Sequence, residues 1–266
     1  MATYLDRILD AHRRRARYDS RSLDALVEEA RNVLPARDFG GAIRSHESPP
    51  GSDLVAVVAE IKRRSPSKGE LFAGLDPASL ARQYESGGAA CISVLTDEQF
   101  FGGSPDDLRA ARNAVDLPVL RKDFTVSPHD VADARIMGSD AVLLIVAALS
   151  DTQLSDFRQL ADELGLAALV EVHDEGELER AVAADASIIG VNQRDLVTFE
   201  VDTARAVRVA AGFPAGIVKV AESGITGAED VAALAEAGYD AVLVGEALVT
   251  SGDPAAAVRT LRAPAL

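Results

Sequence analysis

Tryptophan is absent from this 266-residue chain, cysteine occurs once, and aromatic residues make up only 5%. So thin an aromatic complement argues against a sandwich packed around large rings. With 48% of residues apolar, it favours aliphatic α/β layers. A lone cysteine, Cys91, excludes an internal disulfide, and the four scattered histidines beside it offer no zinc-ligand spacing. Positive charge is scarce as well: 27 Lys and Arg face 42 Asp and Glu, a formal charge of -15. A body that acidic repels a phosphodiester backbone, which removes nucleic acid as a partner. No stretch approaches the ~18 uninterrupted apolar residues of a membrane span, and MATYLDRILDAHRRR lacks the order of a signal peptide. The expectation is a reduced, cytoplasmic chain that neither enters a membrane nor is secreted.

What the chain does have is repetition. From Asp53 onward, a short β-branched run ending in a polar residue is followed by a loop and an Ala/Leu-rich helical stretch, eight times. The runs are LVAVVAEIK (Leu54 to Lys62), CISVL (Cys91 to Leu95), PVLRK (Pro118 to Lys122), AVLLIV (Ala141 to Val146), AALVEV (Ala167 to Val172), IIGVN (Ile188 to Asn192), IVKVAE (Ile217 to Glu222) and AVLVG (Ala241 to Gly245). Each is too short for a helix and too continuously apolar for a half-solvated strand, as in a parallel sheet covered on both faces. Eight βα units over about 210 residues fit a closed (β/α)₈ TIM barrel. The alternative, a doubly wound open sheet, lacks its usual phosphate loops here, since neither G-x-G-x-x-G after the first strand nor G-x-x-x-x-G-K-[ST] occurs.

The whole chain, 1–266, reads as one barrel domain in which 1–50 is an N-terminal helical extension. Tyr4, Leu5, Ile8, Leu9 and His12 mark one amphipathic helix, Leu23 to Leu34 a second, and Arg44 to Ser52 a linker. The basic cluster Arg13 to Arg17 is either a solvated helix face or a lid bringing positive charge over an anionic ligand.

In such a barrel the chemistry sits at the carboxyl ends of the strands. There the sequence places Glu60 and Lys62, on one face by the strand's period of two, then Lys122, Glu171, Asn192 with Arg194, and Glu222 with Ser223. Salt-bridged strand ends without a catalytic role are the bland alternative. Six charges on five strands argue against it, because such an array perturbs proton affinities in both directions, as acid-base work requires. Ser223-Gly224-Ile225-Thr226 after strand seven, with a Thr226/Glu229 capping box, and Val244-Gly245-Glu246 after strand eight resemble the anion cradles of phosphate-binding barrels. The loop Lys62 to Gly69 adds four cations and the donors Ser65 and Ser67. A phosphate monoester is the ligand group these features predict.

The strings AEIKRRSPSKG, SVLTDEQFFGGS, LRKDF, DAVLLIVAAL, LVEVH, IGVNQRDL, VAESGI and VGEAL run through all eight strands in one order. They resemble the indole-3-glycerol phosphate synthase family of tryptophan biosynthesis. The resemblance implies ring closure of 1-(2-carboxyphenylamino)-1-deoxyribulose 5-phosphate with loss of CO₂ and water. It implies no metal or organic cofactor, and a small phosphorylated substrate handled by a monomer. It points to Glu60, Lys62, Lys122, Glu171, Asn192, Glu222 and Ser223 for catalysis and orientation. Ser65, Arg194, Gly224, Gly245 and Glu246 would lie near the ligand, and Phe101 and Phe124 beside its aromatic ring. Lys122 suits the general acid, Glu171 or Glu60 the final base, and Lys62 the anthranilate carboxylate or a second acid. Many members carry Ser where this chain has Glu246, so phosphate would be held there by backbone N–H with the carboxylate turned away. Two rivals are phosphoribosylanthranilate isomerase, which would need a Cys/Asp pair, and a catalytically silent phosphate-binding barrel.

Overall fold

Each β-branched run becomes a strand, because a segment apolar on both faces is buried best where helices cover one side and opposing strands the other. The computed structural model describes residues 3–45, 55–65, 68–72 and 74–262. Its barrel strands are β1 (Ala56–Ile61), β2 (Cys91–Leu95), β3 (Val119–Lys122), β4 (Ala141–Ile145), β5 (Ala167–Val172), β6 (Ile188–Asn192), β7 (Val218–Glu222) and β8 (Ala241–Val244). All pair in parallel and the sheet closes on itself, with β1 bonded to β8 on one side and β2 on the other. Val58 faces Leu243 across one seam and Glu60 faces Ser93 across the other. The architecture is a (β/α)₈ barrel, as the repeat predicts, and the open sheet is excluded. Leu54 and the Pro49 to Ser52 part of the expected linker lie outside the described residues. No helix among the described residues is long and apolar enough to cross a membrane.

The intervening helices begin where the sequence supplies a short polar side chain. Ser104, Ser127, Ser150 and Asp174 each accept a first-turn backbone N–H. One start differs from the expected capping box. After β7 the helix spans Ala228–Glu236, and Asp230 rather than Glu229 receives Thr226 N–H (2.7 Å), Thr226 Oγ1–H (2.8 Å) and Gly227 N–H (3.2 Å). Gly227 is the N-cap, which puts Asp230 at the third helical position, from which a side chain reaches back.

Among the described residues the extension contains three helices rather than two: α1 (Tyr4–Arg17), α2 (Leu23–Arg31) and α3 (Phe39–Ser45). Arg44 and Ser45, expected in a linker, close α3. Asp38 opens it by accepting Gly41 N–H at 2.7 Å, and its buried Phe39 and Ile43 pack against β1, β2 and β7. This helix seals the N-terminal end of the barrel. Cys91 is buried there, its thiol donating to the Phe39 carbonyl at 3.7 Å, and burial pushes the thiol's pKa up. It sits at the end opposite the strand C-termini, so the Cys/Asp rival has no nucleophile at the mouth. Helix α1 lies at that mouth, where Tyr4 packs edge-on against Phe199 (5.0 Å between centroids) and Phe100 (5.9 Å).

Candidate active site

The polar strand ends open into one cavity of about 760 Å³. All fourteen site residues expected from the sequence line it, from Glu60 on β1 to Glu246 after β8. At its centre the Lys122 ammonium donates to Glu171 Oε2 (2.7 Å) and Glu222 Oε2 (2.8 Å), so three strands share one proton-rich junction. Lys62 donates to Glu60 Oε1 at 2.5 Å, as the period of two along β1 requires. Register makes room for this array. Gly190 on β6 stands beside Glu171 on β5, and a Cβ there would fall 2.1 Å from Glu222 Oε1. A Cβ on Gly245 would fall 2.4 Å from Glu60 Oε1.

Burial and charge pull these groups apart in proton affinity. Desolvation, reinforced by repulsion from Glu171 and Glu60, pushes Glu222 up to about 7 in spite of Lys122. Desolvation also acts on Glu171, but Lys122, joined by the His173 ring whenever that ring is protonated, outweighs it and holds the carboxyl below the usual range. Burial would strip Lys122 of its proton. Glu171, Glu222 and Glu60 more than offset it and raise the ammonium above the ordinary lysine range. The site thus brings together an ammonium whose proton is held more tightly, a carboxyl that favours ionisation and a carboxyl shifted up to about 7.

Around the junction lie two dissimilar ends. Phe101 and Phe124, with ring centroids 6.2 Å apart, give one side an apolar wall. The other side is built from turns. Ser223 and Gly224 both have left-handed backbones (φ 69° and 75°), and Gln193 Nε2 fixes the Ser223 carbonyl at 2.7 Å. Asn192 Oδ1 accepts from Arg194 N–H (3.0 Å), and the Arg194 guanidinium donates to the Phe199 carbonyl (3.0 Å).

Two expectations need correction. Among the four loop cations only Lys62 and Lys68 line the cavity, while Arg63 is turned away onto Asp107 (2.7 Å) and the Leu75 carbonyl (2.7 Å). Glu246 is not turned away but faces the cavity and pairs with Lys68. Ser65 lines the cavity and accepts Lys68 N–H at 3.1 Å. Its loop folds into a small hairpin, Arg64–Ser65 with Gly69–Glu70. Pro66 and Ser67 lie outside the described residues.

None of Arg13 to Arg17 lines the cavity. Arg13 donates to the Ala148 carbonyl (2.9 Å) and Arg15 to His12 Nδ1 (2.9 Å). What binds α1 to the mouth is His12, whose Nε2 lies 2.8 Å from Asp97 and 3.8 Å from Asp123. These three ligand-type atoms lie within 4.8 Å of one another. Their lone pairs are already engaged, by Phe100 N–H on Asp97 and by Thr96, Arg121 and Phe124 N–H on Asp123. The cluster anchors α1 to the mouth, with the Arg121 guanidinium already paired to Asp123. Phe199, which lines the cavity, and His173, beside Glu171, escaped sequence reasoning.

Fold and site together are those of a (β/α)₈-barrel enzyme whose charged side chains gather in a cavity at the strand C-termini. Residues 5–261 match the model of the indole-3-glycerol phosphate synthase family. The chain is 53% identical over 262 residues to indole-3-glycerol phosphate synthase 1 of Streptomyces coelicolor, covering 97% of this chain and 94% of that one. It is 50% identical over 262 residues to indole-3-glycerol phosphate synthase of Mycolicibacterium vanbaalenii, covering 98% and 94%. A thiamine phosphate pyrophosphorylase from Pyrococcus furiosus shares the fold alone, with a TM-score of 0.58 at 17% identity over 79% of this chain and 94% of that one. This chain belongs to the indole-3-glycerol phosphate synthase family.

Proposed function

We propose that this chain, a carboxy-lyase of tryptophan biosynthesis by family, closes the indole ring of 1-(2-carboxyphenylamino)-1-deoxyribulose 5-phosphate, releasing CO₂ and water. The observation that carries the reading is Lys122 held between Glu171 and Glu222. Attack of the aryl carbon on the ribulose carbonyl builds negative charge on oxygen, and the Lys122 ammonium both stabilises that charge and supplies the proton. Glu222, at 2.8 Å and protonated near neutrality, reloads Lys122 for the departure of water. Loss of CO₂ restores the aryl ring. In the dehydration Glu171 takes the N–H proton as the hydroxyl leaves as water, and the ring CH₂ then gives up one proton as the nitrogen regains one, which yields the indole with its N–H. Lys62, beside Glu60, receives the anthranilate carboxylate. Phe101 and Phe124 flank the aryl ring, and Asn192 and Arg194 orient the polyol. Backbone N–H groups around Gly224 and Gly245, with Ser65 and Lys68, hold the phosphate. We read the chain as one domain, monomeric and cytoplasmic, since the extension is built into both ends of its own barrel.

The test separates binding from chemistry. Lys122→Met should lower kcat by roughly 10² to 10⁴. An analogue with its ketone reduced to an alcohol should still bind that variant within about tenfold of wild type, or ~1.4 kcal/mol. Lys62→Met should instead lose affinity for the analogue. The reverse pattern in calorimetric titrations would exchange the two roles. The chain has no tryptophan, so indole fluorescence reports turnover directly.

A further inference from the structure

Strand β5 carries Glu171, and His173 follows one residue past the strand's end. Lys122 occupies Glu171 Oε2, while Glu171 Oε1 lies 3.6 Å from His173 Nε2. That nitrogen is buried and has no hydrogen-bond partner among the described residues. The other ring nitrogen is engaged: Nδ1 lies 3.0 Å from Glu177 Oε2, which also accepts His173 N–H at 2.8 Å. A carboxylate bonded to Nδ1 selects the Nδ1–H tautomer and leaves Nε2 as a bare acceptor aimed at Glu171. The two exposures set a route outward, since the His173 side chain is 14% accessible and Glu177 17%, against 2% for Glu171.

We propose that His173 is a positioning residue that clears Glu171 of the proton it takes in the dehydration. This rests on Glu171 being the base. The proton leaves the substrate nitrogen for Glu171. The O–H bond at Oε1 then breaks as the Nε2–H bond forms, leaving a carboxylate beside an imidazolium. Glu177 holds the ring in line and offsets its charge, and the Nε2 proton passes to water as product leaves. The charged groups facing the ring are Glu171 on β5, Glu177 on the helix Glu175–Ala183, and Arg205 on the helix Arg205–Ala210. Burial opposes the imidazolium, but the two carboxylates outweigh it and raise the ring's pKa. With carboxylates 3.0 and 3.6 Å from its two nitrogens, the ring is placed to receive the proton.

The experiment compares three variants of the full chain by kcat, KM and pH profile. His173→Ala should lower kcat by up to about 10² with KM within about twofold, and added imidazole should restore part of the loss. Glu177→Gln, which keeps the shape and removes the charge, should move the acid limb of kcat to lower pH. Glu171→Gln should lose activity that imidazole does not restore. An unimpaired His173→Ala, or an impaired one indifferent to imidazole, overturns the proposal, as does an unmoved acid limb in Glu177→Gln should His173→Ala fail to fold. An active Glu171→Gln overturns the assignment of the base itself, whatever His173 does.

Discussion

At the scale of single residues, the least conspicuous positions constrain the site most. Gly245 has an ordinary backbone conformation, but any side chain there meets the Glu60 carboxylate. Gly245→Val should weaken binding of indole-3-glycerol phosphate by tenfold or more, ~1.4 kcal/mol, and should disturb the Glu60–Lys62 pair as well. Glu246 works in the opposite sense. It holds Lys68 in an exposed pair of the kind worth about 0–1 kcal/mol. Glu246→Ser should free that ammonium for phosphate and tighten product binding by up to about fivefold in a titration. Weaker binding would mean that the pair orders the β1 loop. The pairing of Glu60 with Lys62 was legible because the two stand two residues apart, at the end of one strand and just past it. Which carboxylates share Lys122 was not, because Glu171 and Glu222 come from strands whose relative register exists only in the closed sheet. His173 stood in the LVEVH string and carried no sign of its neighbour Glu177, which depends on where the next helix begins.

At the scale of elements, α1 reaches the mouth through Tyr4 and His12 and not through its arginines. Deleting residues 1–20 should raise KM and lower kcat together, since Tyr4 backs Phe199 and His12 anchors Asp97. Arg13→Ala and Arg14→Ala combined should leave both within about twofold, because neither side chain lines the cavity. Steady-state kinetics on the two proteins decides between the anchor and the charged lid. A longer deletion through α3 would also unseal the barrel's lower end, where truncating a residue like Phe39 costs about 3–5 kcal/mol. The eight strands were legible because continuous β-branched runs have few other homes. Helix α3 was hidden by Gly40 and Gly41, poor helix formers whose conformation is imposed by packing under the barrel.

At the scale of the molecule, closure and pH meet in the same groups. Glu222 binds its proton more tightly in the folded chain, about 7 against 4.5. Between those values the native state holds the extra proton, so stability falls as pH rises through the window and stays reduced above it. Glu171 shifts the other way, and its gain is complete above the unfolded value, outside this range. Urea unfolding at pH 5 and pH 8 should show a loss, of which Glu222 supplies at most about 3 kcal/mol that Glu222→Gln removes, while His173, whose pKa is also raised, supplies the remainder. An equal loss in the variant would place the titration elsewhere. The closed sheet was legible from eight repeats, but its seam was not, since nothing in either run names the other. That seam joins Ala56 to Ala241 and Ala59 to Val244, the chain's first strand to its last. During synthesis, therefore, β1 keeps a bare edge until the seven later strands have been made, and no nascent chain that stops short of β8 owns a phosphate cradle beside Glu60. Catalytic competence arrives in one late step, with the same strand that ends the exposure of that edge to other chains.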